Sequence, residues 1–266
     1  MIRDITIGQY YPAKSVIHKL DPRTKLFGTL VFIISVFLFH SIAGYAVATV
    51  FLAGMILIST VPVKFIFKGL KAIFMILLIT MVFNILLTPG EAIVTLGIFK
   101  ITKEGITMAV RMAIRLIYLV IGSSLMTLTT TPNQLTDGLE KSLRPLNKIH
   151  VPVHEIAMMM SIALRFIPIL LEETDKIMTA QKARGASFSE GNLLQRAKAL
   201  VPILVPLLVS SFHRAEELAT AMECRCYRGE TGRTKMRQLH AAGRDYAAMA
   251  VTLLLFAGAV AVKIIF

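Results

Sequence analysis

No tryptophan occurs in the 266 residues, cysteine occurs only twice, and 16 acidic residues stand against 29 lysines and arginines. Each shortage removes a class of function. A nucleic-acid reader uses a basic patch interleaved with aromatic or polar contacts. Without tryptophan, the net charge of +13 is better explained by basic loops on one side of a membrane, and no nucleic-acid partner is expected. The cysteines are Cys224 and Cys226. A C-x-C pair on a helix points to different faces, which argues against a disulfide or a metal site. The histidines, at 18, 40, 150, 154, 213 and 240, are scattered and lack metal-ligand spacing. There is no G-x-x-x-x-G-K-[ST], H-E-x-x-H or G-x-S-x-G motif, so ATP binding through a phosphate loop and those hydrolytic chemistries are not expected. No catalytic residue, cofactor or metal is assigned.

What is abundant is apolar. Hydrophobic residues make up 55% of the chain, above the 45–50% usual for soluble domains, and they collect in long runs with few charges. Five runs, at about 25–41, 42–61, 70–88, 106–130 and 246–265, have the length needed to cross a ~30 Å hydrocarbon core at ~1.5 Å per residue. The opening "MIRDITIGQYYPAKSVIHKLDPRTKLFG" is polar and basic, and its first apolar run continues into a full span, so no cleavable leader is expected. None of the five runs holds an acidic residue. Proton and sodium relays use intramembrane carboxylates, so an ion-coupled transporter or channel working alone is disfavoured. Arg111 and Arg115 do lie in the fourth run, four apart and on one helix face. They fit either contact with a partner or ion path, or packing inside the bundle. Gly44, Gly54 and Gly122-Ser123-Ser124 read as small residues that let helices approach closely.

Between the fourth and last runs the texture changes. Residues 131–245 form helical patterns studded with charge, with Pro168, Pro202 and Pro206 as bends. Their apolar stretches are short for a crossing, so they read as long amphipathic helices on the inner face. A seven-span arrangement is the alternative. The division is then 1–130 for the N-terminal tail and four spans, 131–245 for the cytoplasmic and interfacial region, and 246–266 for the final span. Basic residues alternate with the connections: Arg3, Lys14, Lys19, Arg23 and Lys25 in the N-terminal tail and at the start of the first span, none in the first turn, Lys64, Lys68 and Lys71 in and just after the second connection, and sixteen across 131–245. By the positive-inside rule the N-terminus and the long region face the cytoplasm, and an odd number of spans leaves the C-terminus outside. The fold class is an all-α integral membrane protein with about five transmembrane helices plus long cytoplasmic amphipathic helices.

Within the long region one device occurs twice. "FIPILLEETDKIMTAQKARGASF" and, forty-one positions on, "LLVSSFHRAEELATAMECRCYRG" both run from an apolar stretch through acids to bases, the order that suits a helix dipole. Gly185 and Gly229 lie where helix-ending glycines are expected. Small residues flank the arginine in each copy: Ala183-Arg184-Gly185 and Cys224-Arg225-Cys226. Small flanks let a partner's wall approach the guanidinium, whose fixed fork suits a carboxylate or backbone carbonyls in a groove. Two ordinary capped amphipathic helices would look similar from spacing alone. The doubled arginine favours a partner with two like grooves, such as a pseudo-twofold pair of ATPase subunits. Met158, Met159 and Met160, with Met178 and Met222, fit either a plain core or a surface that repacks against varied partners.

At these residues the chain resembles the transmembrane T component of energy-coupling factor (ECF) transporters, the vitamin-uptake branch of ABC importers. Ala183-Arg184-Gly185 in an A-x-x-A-R-G context carries the resemblance, with the second motif at Cys224-Arg225-Cys226, the early "LDPRTKL" and the order of four spans, coupling helices and final span. It covers essentially the whole chain. The second motif departs from an Ala-Arg-Gly form because cysteines flank Arg225. The resemblance implies a multi-pass protein of the bacterial plasma membrane that assembles with two ABC-type ATPases and a substrate-binding S component. Ala183, Arg184, Gly185, Cys224, Arg225 and Cys226 would dock the ATPases, and closure of the ATPase pair would reorient the S component to release its vitamin. An ordinary ABC importer permease, which lines the substrate path and docks through one coupling loop, is the alternative.

Overall fold

The computed structural model describes residues 10–39, 41–96, 99–186, 188, 192–229 and 239–265. The order is α1 (Pro22–Leu38), α2 (Ile42–Ser59), α3 (Val63–Leu87), β1 (Ala92–Leu96), β2 (Phe99–Thr102), α4 (Lys103–Thr129), α5 (Pro132–Leu143), a 3-10 helix (Arg144–Ile149), α6 (Val153–Ala183), α7 (Leu193–Cys224) and α8 (Gly243–Ile265). The membrane-helical class expected from the sequence holds, with two additions. The third connection contains two antiparallel strands, paired Val94 to Ile101 and Leu96 to Phe99. The second connection is helical: α3 starts at Val63 and runs in two legs, Val63–Lys71 and Ile73–Leu87, bent by 56°. Lys64, Lys68 and Lys71 therefore lie on the first leg.

By length and composition α4, α6, α7 and α8 can each cross a membrane, as can the two legs of α3 taken together. The 17 residues of α1 span only about 26 Å at 1.5 Å per residue, just under the hydrocarbon thickness. The set of long apolar helices thus differs from the five runs read in the sequence. It includes α6 and α7, whose charge sits toward their C-terminal halves.

The chain divides into two units, one from the described parts of 8–138 and 238–266, the other from 139–237. In the first unit, α1 packs on α8 and α4, and α3 on α4. Phe32, Val36, Leu52 and Leu255 form one buried cluster, and Phe39, Tyr45, Ala48 and Ala259 another. Gly122 lets α4 close on α1: a Cβ there would meet the Phe32 ring at 2.7 Å. Gly44 likewise sits against Phe39, whereas Gly54 faces open space and plays no such part. Phe67, Phe74, Met75 and Phe83 of α3 are exposed, as side chains facing lipid are, where exposure of apolar surface carries no penalty. Arg115 serves packing. Its Nη2 donates to Phe39 O at 3.4 Å, a carbonyl just past the end of α1, and its guanidinium lies 5.4 Å from the Phe37 ring centre. Arg111 is exposed.

The "LDPRTKL" stretch ties three helix ends together. Asp21 caps α1, its carboxylate accepting from Arg23 N at 2.9 Å, with Pro22 at the first helical position. The Asp21 N–H donates to Asp245 Oδ1 at 2.7 Å, and Asp245 Oδ2 accepts from Ala242 N at 2.7 Å. The buried Lys25 Nζ donates to Thr129 O at 2.8 Å and to His18 O at 3.2 Å. The starts of α1 and α8 and the end of α4 therefore share one side of the bundle. Whatever the long region does between α4 and α8, it leaves and returns on the side where α1 begins.

Candidate functional site

Both arginine-bearing segments end helices, and they end them alike. On α6, Arg184 is the last half-helical residue (φ −85°, ψ 6°). Gly185 follows at φ +87°, and its N–H donates to Lys182 O at 3.0 Å while Ala186 N donates to Gln181 O at 3.0 Å. On α7, Arg225 (φ −92°, ψ 16°) occupies the same place. Cys226 follows at φ +55°, with Cys226 N to Glu223 O at 2.8 Å and Tyr227 N to Met222 O at 3.1 Å. The donors and acceptors correspond one for one at the forty-one-residue offset. This paired pattern is a Schellman cap, which satisfies carbonyls that a helix end would otherwise leave open.

The left-handed residue in the second cap is Cys226. Gly229, expected to end α7, does adopt φ +79° but lies three residues beyond the cap. A non-glycine residue in that region carries a steric cost of roughly 1–2 kcal/mol, and two well-formed hydrogen bonds hold it there. Ala183, Arg184, Gly185, Cys224, Arg225 and Cys226 are all exposed, and both cysteines are free thiols. Among the described residues no ion pair engages the guanidinium of Arg184 or Arg225. Each helix end thus presents a charged fork, flanked by small side chains, to whatever approaches it.

Residues that the motif reading missed hold α6 to α7. Glu173 accepts from Ser210 Oγ at 2.5 Å and from Arg214 Nη2 at 2.9 Å. Gln181 Nε2 donates to Pro202 O at 3.5 Å. That carbonyl is open because Pro206, four residues on, has no N–H to give it. The signal for the first contact was in the repeat: Glu173 and Arg214 occupy equivalent positions with opposite charge.

The family model described as CbiQ, cobalt transport protein, matches residues 13–236. The energy-coupling factor transporter transmembrane protein EcfT of Clostridium kluyveri is 55% identical over 260 residues, covering 96% of this chain and 95% of that one. The EcfT of Ruminiclostridium cellulolyticum is 51% identical over 266 residues and the full length of both. That of Bacillus subtilis is 49% identical over 246 residues, covering 92% and 93%. The chain belongs to the EcfT family. As an EcfT protein it is a multi-pass transmembrane component of an ECF transporter, working in a complex with other ECF components, and the family resemblance drawn from the arginine motifs is correct.

Proposed function

We propose that this EcfT chain couples ATP hydrolysis by two cytoplasmic ABC-type ATPase subunits to reorientation of a vitamin-binding S component, and that it catalyses no reaction itself. Two matched helix caps, each presenting an exposed arginine between small residues, are the observation that supports this reading. Like plugs suit like sockets, and a pair of homologous ATPases offers two. The residues carrying the docking are Ala183, Arg184 and Gly185 on α6 and Cys224, Arg225 and Cys226 on α7, with the arginines making the charged contacts and the small neighbours clearing room. The N-terminus faces the cytoplasm of a bacterial cell. That side matches the basic N-terminal tail and the shared side on which α1 and α8 begin. In this scheme residues 1–130 and 246–266 form the membrane body and 131–245 the coupling region that also carries the S component. An ordinary permease, docking through a single loop, has no use for the second arginine cap.

Purification of the tagged chain from its native membrane, followed by reconstitution in vesicles, tests the proposal. The reading expects two ATPases and an S component to accompany the chain, and vitamin uptake to require internal ATP. Uptake by the chain alone, without any ATPase, would overturn it.

A further inference from the structure

The α6–α7 contacts fix more than a neighbouring pair. Moving back along α6 from Gln181 to Glu173 moves the partner on α7 forward from Pro202 to Ser210, so the two helices run antiparallel where they touch. Arg184 lies eleven residues beyond Glu173, and Arg225 eleven residues beyond Arg214. At 1.5 Å per residue each docking arginine is about 16 Å from the Glu173–Arg214 pair along its own helix, in opposite directions. Glu173 and Arg214 are themselves equivalent positions of the repeat. In an antiparallel pair of like helices, equivalent positions meet only at the pseudo-twofold axis.

We propose that Glu173, Arg214 and Ser210 form a positioning clip on that axis, which sets the span between Arg184 and Arg225 so that both engage a twofold ATPase pair at once. The clip touches no ATPase. It acts through geometry: two linked contacts bind more tightly than either alone only when the linker holds them at the partner's spacing. Side-chain exposures of 23% for Glu173 and 38% for Arg214 leave the pair reachable by water, but Ser210 Oγ and Arg214 Nη2, one turn apart on α7, both bond to the Glu173 carboxylate and fix its place. Gln181, reaching the carbonyl opened by Pro206, adds a second tie nearer the Arg184 end.

This inference rests on the docking reading, so the test separates the two. Spin labels at Lys182→Cys and Arg228→Cys, in a Cys224→Ala, Cys226→Gly background, report the span by pulsed dipolar spectroscopy on the full chain in nanodiscs, without ATPases. Glu173→Gln is expected to broaden the distance distribution, and the charge-reversed double variant Glu173→Arg, Arg214→Glu to narrow it again. An unchanged distribution in Glu173→Gln overturns the clip, whatever docks at the ends. Affinity for the purified ATPase pair is then measured in a cycle. Glu173→Gln is expected to weaken binding about tenfold to a hundredfold, to add little to the loss caused by Arg184→Ala, and to be rescued by charge reversal. Fully additive losses overturn the positioning role. If Arg184→Ala and Arg225→Ala themselves leave the affinity unchanged, the docking reading fails while the distance measurement still judges the clip.

Discussion

Cys226 and Gly185 occupy the same left-handed position in two copies of one helix cap, and exchanging their residue types should move the two helix ends in opposite directions. Cys226 at φ +55° carries a steric cost of roughly 1–2 kcal/mol that glycine avoids. Glycine also gives the unfolded chain more freedom, a loss on folding of about 0.5–1 kcal/mol. Cys226 is exposed, so its thiol forfeits little burial. The net for Cys226→Gly is a gain of about 0.5–1 kcal/mol at the α7 terminus. Gly185→Ala has the converse arithmetic and loses about the same. Hydrogen exchange in nanodiscs reads this locally, at the Cys226 and Tyr227 amides that bond to Glu223 and Met222, and at the Gly185 and Ala186 amides that bond to Lys182 and Gln181. At 1.4 kcal/mol per factor of ten, protection should rise about two- to fivefold in the first variant and fall about two- to fivefold in the second. Equal protection in Cys226→Gly and the parent, or a gain in Gly185→Ala, would refute the claim that the two caps are the same structure.

Other expectations concern the membrane body. Gly122→Val should cost about 1–3 kcal/mol, because the new side chain must displace the Phe32 ring that its Cβ would meet at 2.7 Å; thermal unfolding in detergent reads it as a lowered Tm. Asp245→Ala removes the acceptor of the buried Asp21 N–H, a loss of about 1–3 kcal/mol, with Asp245→Asn losing less because its carbonyl can still accept. His18 is held below its ordinary value of 6.5, first by burial and then by the neighbouring Lys25 charge, so folding disfavours its protonated form. The unfolded chain then binds the extra proton first. Stability from this group is full above pH 6.5 and is lost as pH falls through that value toward the lowered one. A Tm profile from pH 8 to pH 5 should fall less steeply in His18→Gln.

The multi-pass helical class was legible because apolar runs of spanning length have few other uses, but the set of long apolar helices was not, since the charges and prolines of α6 and α7 hid their apolar length; the arginine motifs stood out because residue types and spacing repeated. The hairpin between α3 and α4 was not legible. Its strands are four or five residues long, too short for period-two patterning to stand out beside the helical periodicity of the flanking spans. The early start of α3 was hidden because Lys64, Lys68 and Lys71 read as loop charge, although their spacing of four and three also suits one helix face. Cys226 as the cap residue ran against propensity, since glycine is the usual occupant and Gly229 stood close by as a decoy. The "LDPRTKL" stretch was recognised as a motif, but its work depends on Asp245, 224 residues away from Asp21, and no single-sequence pattern announces a contact at that separation.

The central claim is that Arg184 and Arg225 are the two contacts through which this chain holds its ATPase pair. The measurement that bears on it most directly is the affinity of the purified ATPase pair for the nanodisc-embedded chain, compared across Arg184→Ala, Arg225→Ala and the double variant. Truncating a charged partner at a buried interface costs about 2–5 kcal/mol, so each single variant should bind at least about thirtyfold more weakly, and the double variant should neither hold the ATPases nor support ATP-driven uptake. A double variant that binds with parental affinity and transports normally would contradict the account.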